Sequence, residues 1–488
     1  MTAIQLRGHD LKDVHRQLYI GGEWVGASDG AEFDVFDPAT EEVLTSVSSG
    51  TRDDALAAVA AAAKALPAWA ARPPRERAEI LRNCYTLMME RAESLARLVT
   101  LENGKALPDA RGEVSYAAEF FRWFAEEGVR NLGEMYNSPA GTHRILVQRQ
   151  PVGVSLLVTP WNFPAAMATR KMAPALAAGC SVVLKPASET PLTALAIAAL
   201  MSEAGVPAGV VNVLPSRRSG EVANAMLHDP RVRKLSFTGS TEVGRTLLRE
   251  AADTVIGCAM ELGGNAPFLV LEDADVEAAV QGAMIAKMRN GGEACTAANR
   301  FYVHAAVVKE FSQALARGMA GMKLGHGLDD GVQLGPLVNA STRAKVAALV
   351  EEAKDRGAKV LTGGNAPQRP GYFYEATVLG DVVPGSRCLV EEIFGPVAPI
   401  VTFEDVEDAI VQANDSEFGL AGYLYTGDLA KGLRVAERLE CGMIGLNRGL
   451  LSDPAAPFGG VKQSGLGREG AHDGLLEFLE TKYIAANW

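Results

Sequence analysis

The sequence predicts an α/β fold made of two open, largely parallel sheets with a small β arm. Three observations predict it. From Pro151 onward, apolar β-prone runs alternate with helical patterns, and the same rhythm restarts after Glu261. The chain is also too long, at 488 residues, for one ordinary core. Its composition is 48% hydrophobic but only 6% aromatic, with 50 glycines, which suits layers packed closely through small side chains.

Residues 18–47 read as short strands and turns: Leu18-Tyr19-Ile20, the Gly21-Gly22 turn, and an alternating Phe33-x-Val35-Phe36 stretch. An alanine-rich helix is expected from Asp53 to about Leu66, with Asp53 and Asp54 in its first turn and Pro67 ending it. After Pro73-Pro74, one longer helix is expected over Arg75 to about Leu101. Its Ile80, Cys84, Leu87, Met88, Leu95 and Leu98 share a face. Asn131 to Gln150 turns polar, and Arg144–Arg149 reads as an edge strand that could reach out of the body as an arm.

The alternation then begins. Strands are expected at Gly153–Val158, Ser181–Leu184, Val210–Leu214 and Val232–Phe237, and helices at Ala165–Gly179, Thr193–Ala204 and Gly220–Leu227. Apolar strands of this kind belong to a parallel sheet covered on both faces, as in dinucleotide-binding folds. The second series has strands Pro267–Leu271, Phe301–Val303, Val360-Leu361 and Gly442–Asn447. Its helices are Asp275–Met288, Ala306–Gly321, Arg343–Gly357 and Asp405–Asn414, and Thr481–Ile484 reads as a terminal strand.

Bulk properties exclude several classes. Net charge is −12, from 47 basic and 59 acidic residues, with no basic stripe, so a nucleic-acid partner is not expected. The N-terminus lacks the apolar run of a signal peptide, and no uninterrupted apolar stretch is long enough to span a membrane. Six cysteines without C-x-x-C spacing, and seven scattered histidines, support neither a disulfide framework nor a metal site. A reducing cytoplasm is the expected location.

The chemistry concentrates around one thiol. Arg289-Asn290-Gly291-Gly292-Glu293-Ala294-Cys295-Thr296 surrounds a cysteine with glycines, a carboxylate and an amide, unlike the apolar setting of a core cysteine. Glu261-Leu262-Gly263-Gly264 supplies a carboxylate beside another glycine pair. Together they suggest a covalent thiol enzyme with its own acid/base group. Thr238-Gly239-Ser240-Thr241 joins a strand to a helix, which suits an anion site at the helix N-terminus and equally an ordinary capped helix. In Thr159-Pro160-Trp161-Asn162-Phe163-Pro164, two prolines preset the Asn162 amide. That is what an oxyanion donor needs, and also what any rigid turn has. Lys185 ends a strand where ligands bind in open α/β sheets, or is simply solvated there.

These segments resemble one family along nearly the whole chain, from about Leu18 to Tyr483. The resemblance is carried by TPWNFP (159–164), KPASETP (185–191), FTGSTEVG (237–244), ELGGNAPF (261–268), GGEACT (291–296), EEIFGP (391–396) and PFGGVKQSGLGREG (457–470). The family is the aldehyde dehydrogenases. The resemblance narrows to the succinate-semialdehyde dehydrogenase branch through TRKMAPALAAGCSVVLKPAS, RKLSFTGSTEVGR and ANDSEFGLAGYLY. It implies a Rossmann-type cofactor domain (residues 18–130 and 151–260), a catalytic α/β domain (261–445) and an oligomerisation arm (131–150 and 475–488) in a homodimer or homotetramer.

The resemblance also implies roles. Cys295 is the nucleophile, Asn162 the oxyanion donor and Glu261 the base that activates water. Thr159, Pro160, Trp161, Lys185, Ser188, Gly239, Ser240, Glu392 and Phe394 hold the cofactor. Arg170, Arg289 and Ser452 hold the substrate's distal carboxylate, and no metal is needed. A carboxylate at the position of Ser188 would favour NAD. The small hydroxyl found there, with Lys185 and the Arg217-Arg218 pair expected nearby, favours NADP while leaving NAD possible. Ala297 stands where some relatives carry a second cysteine, so no redox switch is expected. Arg448 is an unfamiliar residue that bears on substrate length, and glutarate semialdehyde or another aliphatic aldehyde is the alternative substrate.

Overall fold

The computed structural model describes residues 4–6, 9–11 and 14–487. Its body is α/β, with two large sheets. The first sheet has eight strands. Five are parallel neighbours, in the spatial order Gly257–Glu261, Val232–Thr238, Val154–Val158, Ser181–Lys185 and Val211–Val213. Leu18–Ile20 and Glu23–Val25 extend one edge antiparallel, and Gly465–Leu466 returns to close the other.

Strand order reverses beside Val154–Val158. Chain order runs outward through Ser181–Lys185 on one side and through Val232–Thr238 on the other. Such a switch point opens a crevice at the carboxyl ends of the strands. The register puts Val158 level with Lys185 and Phe237, and Thr238 level with Glu261. The segments after Val158, Lys185, Thr238 and Glu261 therefore emerge at one edge.

The second sheet has seven strands, in the order Lys359–Thr362, Thr377–Gly380, Val397–Phe403, Ala298–His304, Ala266–Val270, Ala421–Tyr425 and Met443–Leu446. All pairs but the first are parallel. Glu261 is the last residue of a first-sheet strand, so the change of sheet falls between Glu261 and Ala266 rather than before Glu261. Glu134–Asn137, Arg144–Pro151 and Leu479–Ala486 form a separate three-stranded antiparallel sheet.

Two helical expectations are corrected, and one helix is added. Pro67 does not end its helix, which runs Arg52–Ala70 with the proline inside its last turns. Trp69 beyond it is 1% exposed in the core, and that burial holds the turn together despite the backbone bond proline cannot make. The expected single helix over 75–101 is two, Pro74–Glu90 and Ala92–Asn103, hinged at Arg91 with φ −107° and ψ 15°. The apolar stripe continues across the hinge, so periodicity does not register it. A third helix, Leu107–Glu127, has no counterpart in the sequence reading; its Phe120, Phe121 and Phe124 are buried.

This unforeseen helix packs on Pro164–Ala178, whose residues are all buried. The buried helix starts directly after the Thr159–Phe163 loop and carries Arg170 and Lys171 inward.

Candidate functional site

A cavity of about 230 Å³ opens at the crevice. Pro160, Trp161 and Asn162 line it from one loop, Gly239 and Ser240 from the next, and Cys295, Glu392 and Phe394 from the second domain. Eight of the residues singled out in the sequence thus share one wall. Thr159 sits just behind, its backbone N–H donating to Lys185 O at 3.2 Å. A larger cavity, about 580 Å³, lies behind Gly467 and Glu477 and holds none of the singled-out residues.

The cysteine loop is built by left-handed backbone at Asn290 (φ 53°) and Gly291 (φ 59°). Asn290 Nδ2 donates to Asn162 O at 2.8 Å and to Glu293 O at 3.0 Å, and its backbone N–H donates to Asp109 Oδ2 at 2.9 Å. Asn162 Nδ2 also donates to Glu293 O, at 3.0 Å. An amide nitrogen has two N–H bonds, so a second remains for a ligand oxygen. Gly264 faces the Cys295 carbonyl so closely that any Cβ would collide with it. This explains a glycine of the Glu261 segment by its packing on the thiol loop.

Burial pushes the Cys295 thiol up to about 12; Arg170 and Arg289 act in the opposite direction, while Glu392 and Glu261 add to the rise. Its resting form is the thiol, and the proton must leave at or before attack. Glu261 is buried, with Oε2 lacking a hydrogen-bond partner. Burial first, and Glu469 second, hold its carboxyl well above the usual range. Glu469 behaves oppositely. Burial pushes it up, but Arg170 and Lys171 together hold it below the ordinary value. Two carboxylates in one buried cluster cannot both ionise easily; Glu469 takes the charge and Glu261 the proton.

Arg170 is fully buried and ion-paired to Glu469, with its guanidinium 4.2 Å from the Phe458 ring centre. Lys171 Nζ reaches Glu469 Oε1 at 2.5 Å and Ser236 Oγ at 3.0 Å. Arg170 was expected to share a substrate carboxylate with Arg289; the structure shows it already engaged by a protein carboxylate. Arg289 Nη1 donates to Ser452 Oγ at 3.2 Å, and both line a cleft of about 470 Å³ with Met284, Met288 and Met322. Arg289 also lies 4.7 Å from the Phe163 ring centre, which joins this cleft to the Asn162 loop. Arg448 does not line the cleft. It is exposed and donates to Leu450 O at 2.7 Å.

Glu392 Oε1 accepts from Gly264 N at 3.0 Å, and burial pushes its carboxyl up to about 7. Phe394, at φ 55°, meets Trp161 edge-on at 5.3 Å. Lys185 is buried, donates to Pro186 O at 3.0 Å, and is pulled down to about 8 by burial. Ser188 lies in a third cleft, about 180 Å³, with Arg217. Arg218, expected beside it, instead pairs with Asp29 at 2.7 Å. Glu102 also lines this cleft. Burial pushes it up to about 8, although Leu192 N and Thr193 N each donate to it at 2.8 Å.

Lys171, Glu469 and Asp109 carry no local signal in the sequence that ties them to this assembly. Nothing near Glu469 tells that it meets a lysine 298 positions away.

The profile of the aldehyde dehydrogenase family matches residues 24–484. A succinate-semialdehyde dehydrogenase of Paenarthrobacter nicotinovorans is 55% identical over 442 residues, covering 91% of this chain and 98% of that protein. A glutarate-semialdehyde dehydrogenase of Pseudomonas aeruginosa is 48% identical, covering 97% and 98%. The crystal structure of an NADP-dependent enzyme of E. coli superposes with a TM-score of 0.96 at 50% identity, covering 97% and 98%.

Proposed function

From the premise that this chain belongs to the aldehyde dehydrogenase family, we propose that it oxidises succinate semialdehyde to succinate with NADP. That it is an NAD(P)-dependent aldehyde dehydrogenase follows from the family and its semialdehyde-oxidising relatives. The observation that carries the finer reading is the Arg289–Ser452 pair, 3.2 Å apart in a cleft that abuts the Asn162 loop. A guanidinium and a hydroxyl suit a carboxylate at the far end of a short aldehyde.

In this reading the Cys295 sulfur bonds to the aldehyde carbon while its proton passes to solvent, giving a thiohemiacetal oxyanion. The free N–H of Asn162 receives the oxyanion. NADP, when bound, supplies the acceptor for the hydride lost from that carbon. What remains on Cys295 is a thioester. Glu261, once deprotonated, takes a proton from water, whose oxygen attacks the thioester; as the acid is released, the proton returns to the departing sulfur and restores the thiol. The residues present fit the cofactor. Ser240 caps the helix Thr241–Ala252 at the switch point, leaving N–H groups for phosphate. Ser188 and Arg217 share a cleft, and a guanidinium beside a small hydroxyl suits a 2′-phosphate, although Asp34, Glu102 and Glu189 also line it.

Arg289→Ala is expected to lower kcat/KM for succinate semialdehyde by about 10- to 100-fold, the worth of a charge-assisted hydrogen bond, while sparing an uncharged aldehyde. Equal losses on both would sink the substrate reading. Arg170→Ala differs, because Glu469 loses one of its two counter-ions, with Lys171 left alone: both substrates are expected to suffer. Ser188→Glu is expected to move preference from NADP toward NAD, read as the ratio of the two kcat/KM values; an unchanged ratio counts against the NADP assignment. Glutarate semialdehyde is the second reading, favoured by the methionines of the Arg289 cleft, which adapt to a longer chain. We further propose a cytoplasmic homodimer or homotetramer joined through the three-stranded arm.

A further inference from the structure

The carbonyl of Asn162 is held from two sides. Asn290 is one holder; the other is Lys105, whose Nζ donates to Asn162 O at 2.7 Å and to Glu113 Oε2 at 2.5 Å. Neither side chain of this ion pair is exposed at all (0% for both). The other oxygen of Glu113 accepts from Ala165 N at 2.8 Å and Ala166 N at 3.3 Å, the first turn of the buried helix. One residue earlier in the loop, Trp161 O accepts from Asn103 Nδ2 at 3.1 Å. The Lys105 ammonium lies 4.0 Å from the Phe163 ring centre.

Asn103 and Lys105 come from one short segment. Gly104, at φ 95°, ends the helix Ala92–Asn103 and turns the chain so that both neighbours point into the loop. A buried ion pair is weak evidence for stability, since desolvation consumes most of its attraction. Here Glu113 also neutralises Lys105, so little net charge reaches the cavity. What the pair adds is direction. The carbonyls on either side of the Asn162 side chain's attachment point, Trp161 O and Asn162 O, are both fixed by donors of this segment.

We infer that Lys105 is a positioning residue for the oxyanion step, holding the Asn162 backbone so that its amide meets the oxygen of the Cys295 adduct. The inference rests on the reading of Asn162 as oxyanion donor and concerns how that donor is aimed.

A double-mutant cycle on the NADPH burst tests it, using the full-length protein with succinate semialdehyde and an uncharged aldehyde. Asn162→Ala is expected to slow the burst about 10²- to 10³-fold, as for loss of an oxyanion donor. Lys105→Met is expected to slow it about 10- to 100-fold with both aldehydes, as misplacement does. NADPH binding, read by protein fluorescence, should be unchanged. The double variant is expected to be no slower than Asn162→Ala alone, because a residue acting through Asn162 has nothing left to aim. An unchanged burst in Lys105→Met, or a double-variant loss equal to the product of two real single losses, overturns the role of Lys105 alone. An unchanged burst in Asn162→Ala overturns both it and the reading beneath it. If Lys105→Met does not fold, Glu113→Gln takes its place in the cycle, with the same expected non-additivity.

Discussion

Burial holds Cys295 and Glu261 uncharged, and this shared cause shapes the pH dependence. A carboxyl raised above its ordinary range is an acid, not a base, until the pH passes its own titration point. Steady-state turnover limited by thioester hydrolysis is therefore expected to climb with pH through a range above that of a free carboxylate. Glu261→Gln should keep the NADPH burst, lose about 10²- to 10⁴-fold of steady-state turnover and abolish the climb. A wild-type profile flat from about pH 5 to about pH 9 would refute the assignment. These residues were legible in the sequence because each lies in a contiguous polar or glycine-rich motif. Lys171 and Glu469 were not legible as a pair, nor was the meeting of Asn162 with Asn290 through a backbone carbonyl. Both depend on elements far apart in the chain meeting in space.

Among the elements, strands and helices were both read in part. Apolar runs bounded by turns mark most of the first sheet, but Gly257–Glu261, Thr377–Gly380, Val397–Phe403 and Ala421–Tyr425 went unread. Pro67 reads locally as a stop, but tertiary packing of Trp69 overrides it. Because Pro67 is exposed, Pro67→Ala leaves no cavity, restores a backbone N–H and is expected to stabilise the protein by about 1 kcal/mol. Trp69→Ala should cost about 3–5 kcal/mol. Thermal or denaturant unfolding of the two variants checks both signs; a destabilising Pro67→Ala would show that the ring itself packs. The helix Leu107–Glu127 went unread although Val114, Ala117, Phe121 and Phe124 fall at helical spacing. It brings Asp109 and Glu113 to the site, so missing the element meant missing its contacts.

For the molecule as a whole, two sheets were foreseeable from the doubled rhythm, but not their strand order. The return of Gly465–Leu466 to the first sheet was also hidden, because a two-residue strand carries no periodicity. The arm exposes Met135, Tyr136 and Tyr483 on a sheet that ends in an unpaired edge. Removing residues 479–488 is expected to leave a smaller species in light scattering. An unchanged mass would move the subunit contact elsewhere. The helix Pro164–Ala178, buried along its whole length, bears on how this enzyme can be altered in the laboratory. Libraries aimed at new substrates gain little from randomising it, since almost every replacement there damages packing before it changes selectivity. Productive diversity lies instead at the mouth of the Arg289 cleft, at Met284, Ile285 and Leu450, where side chains can change size without a neighbour on every side.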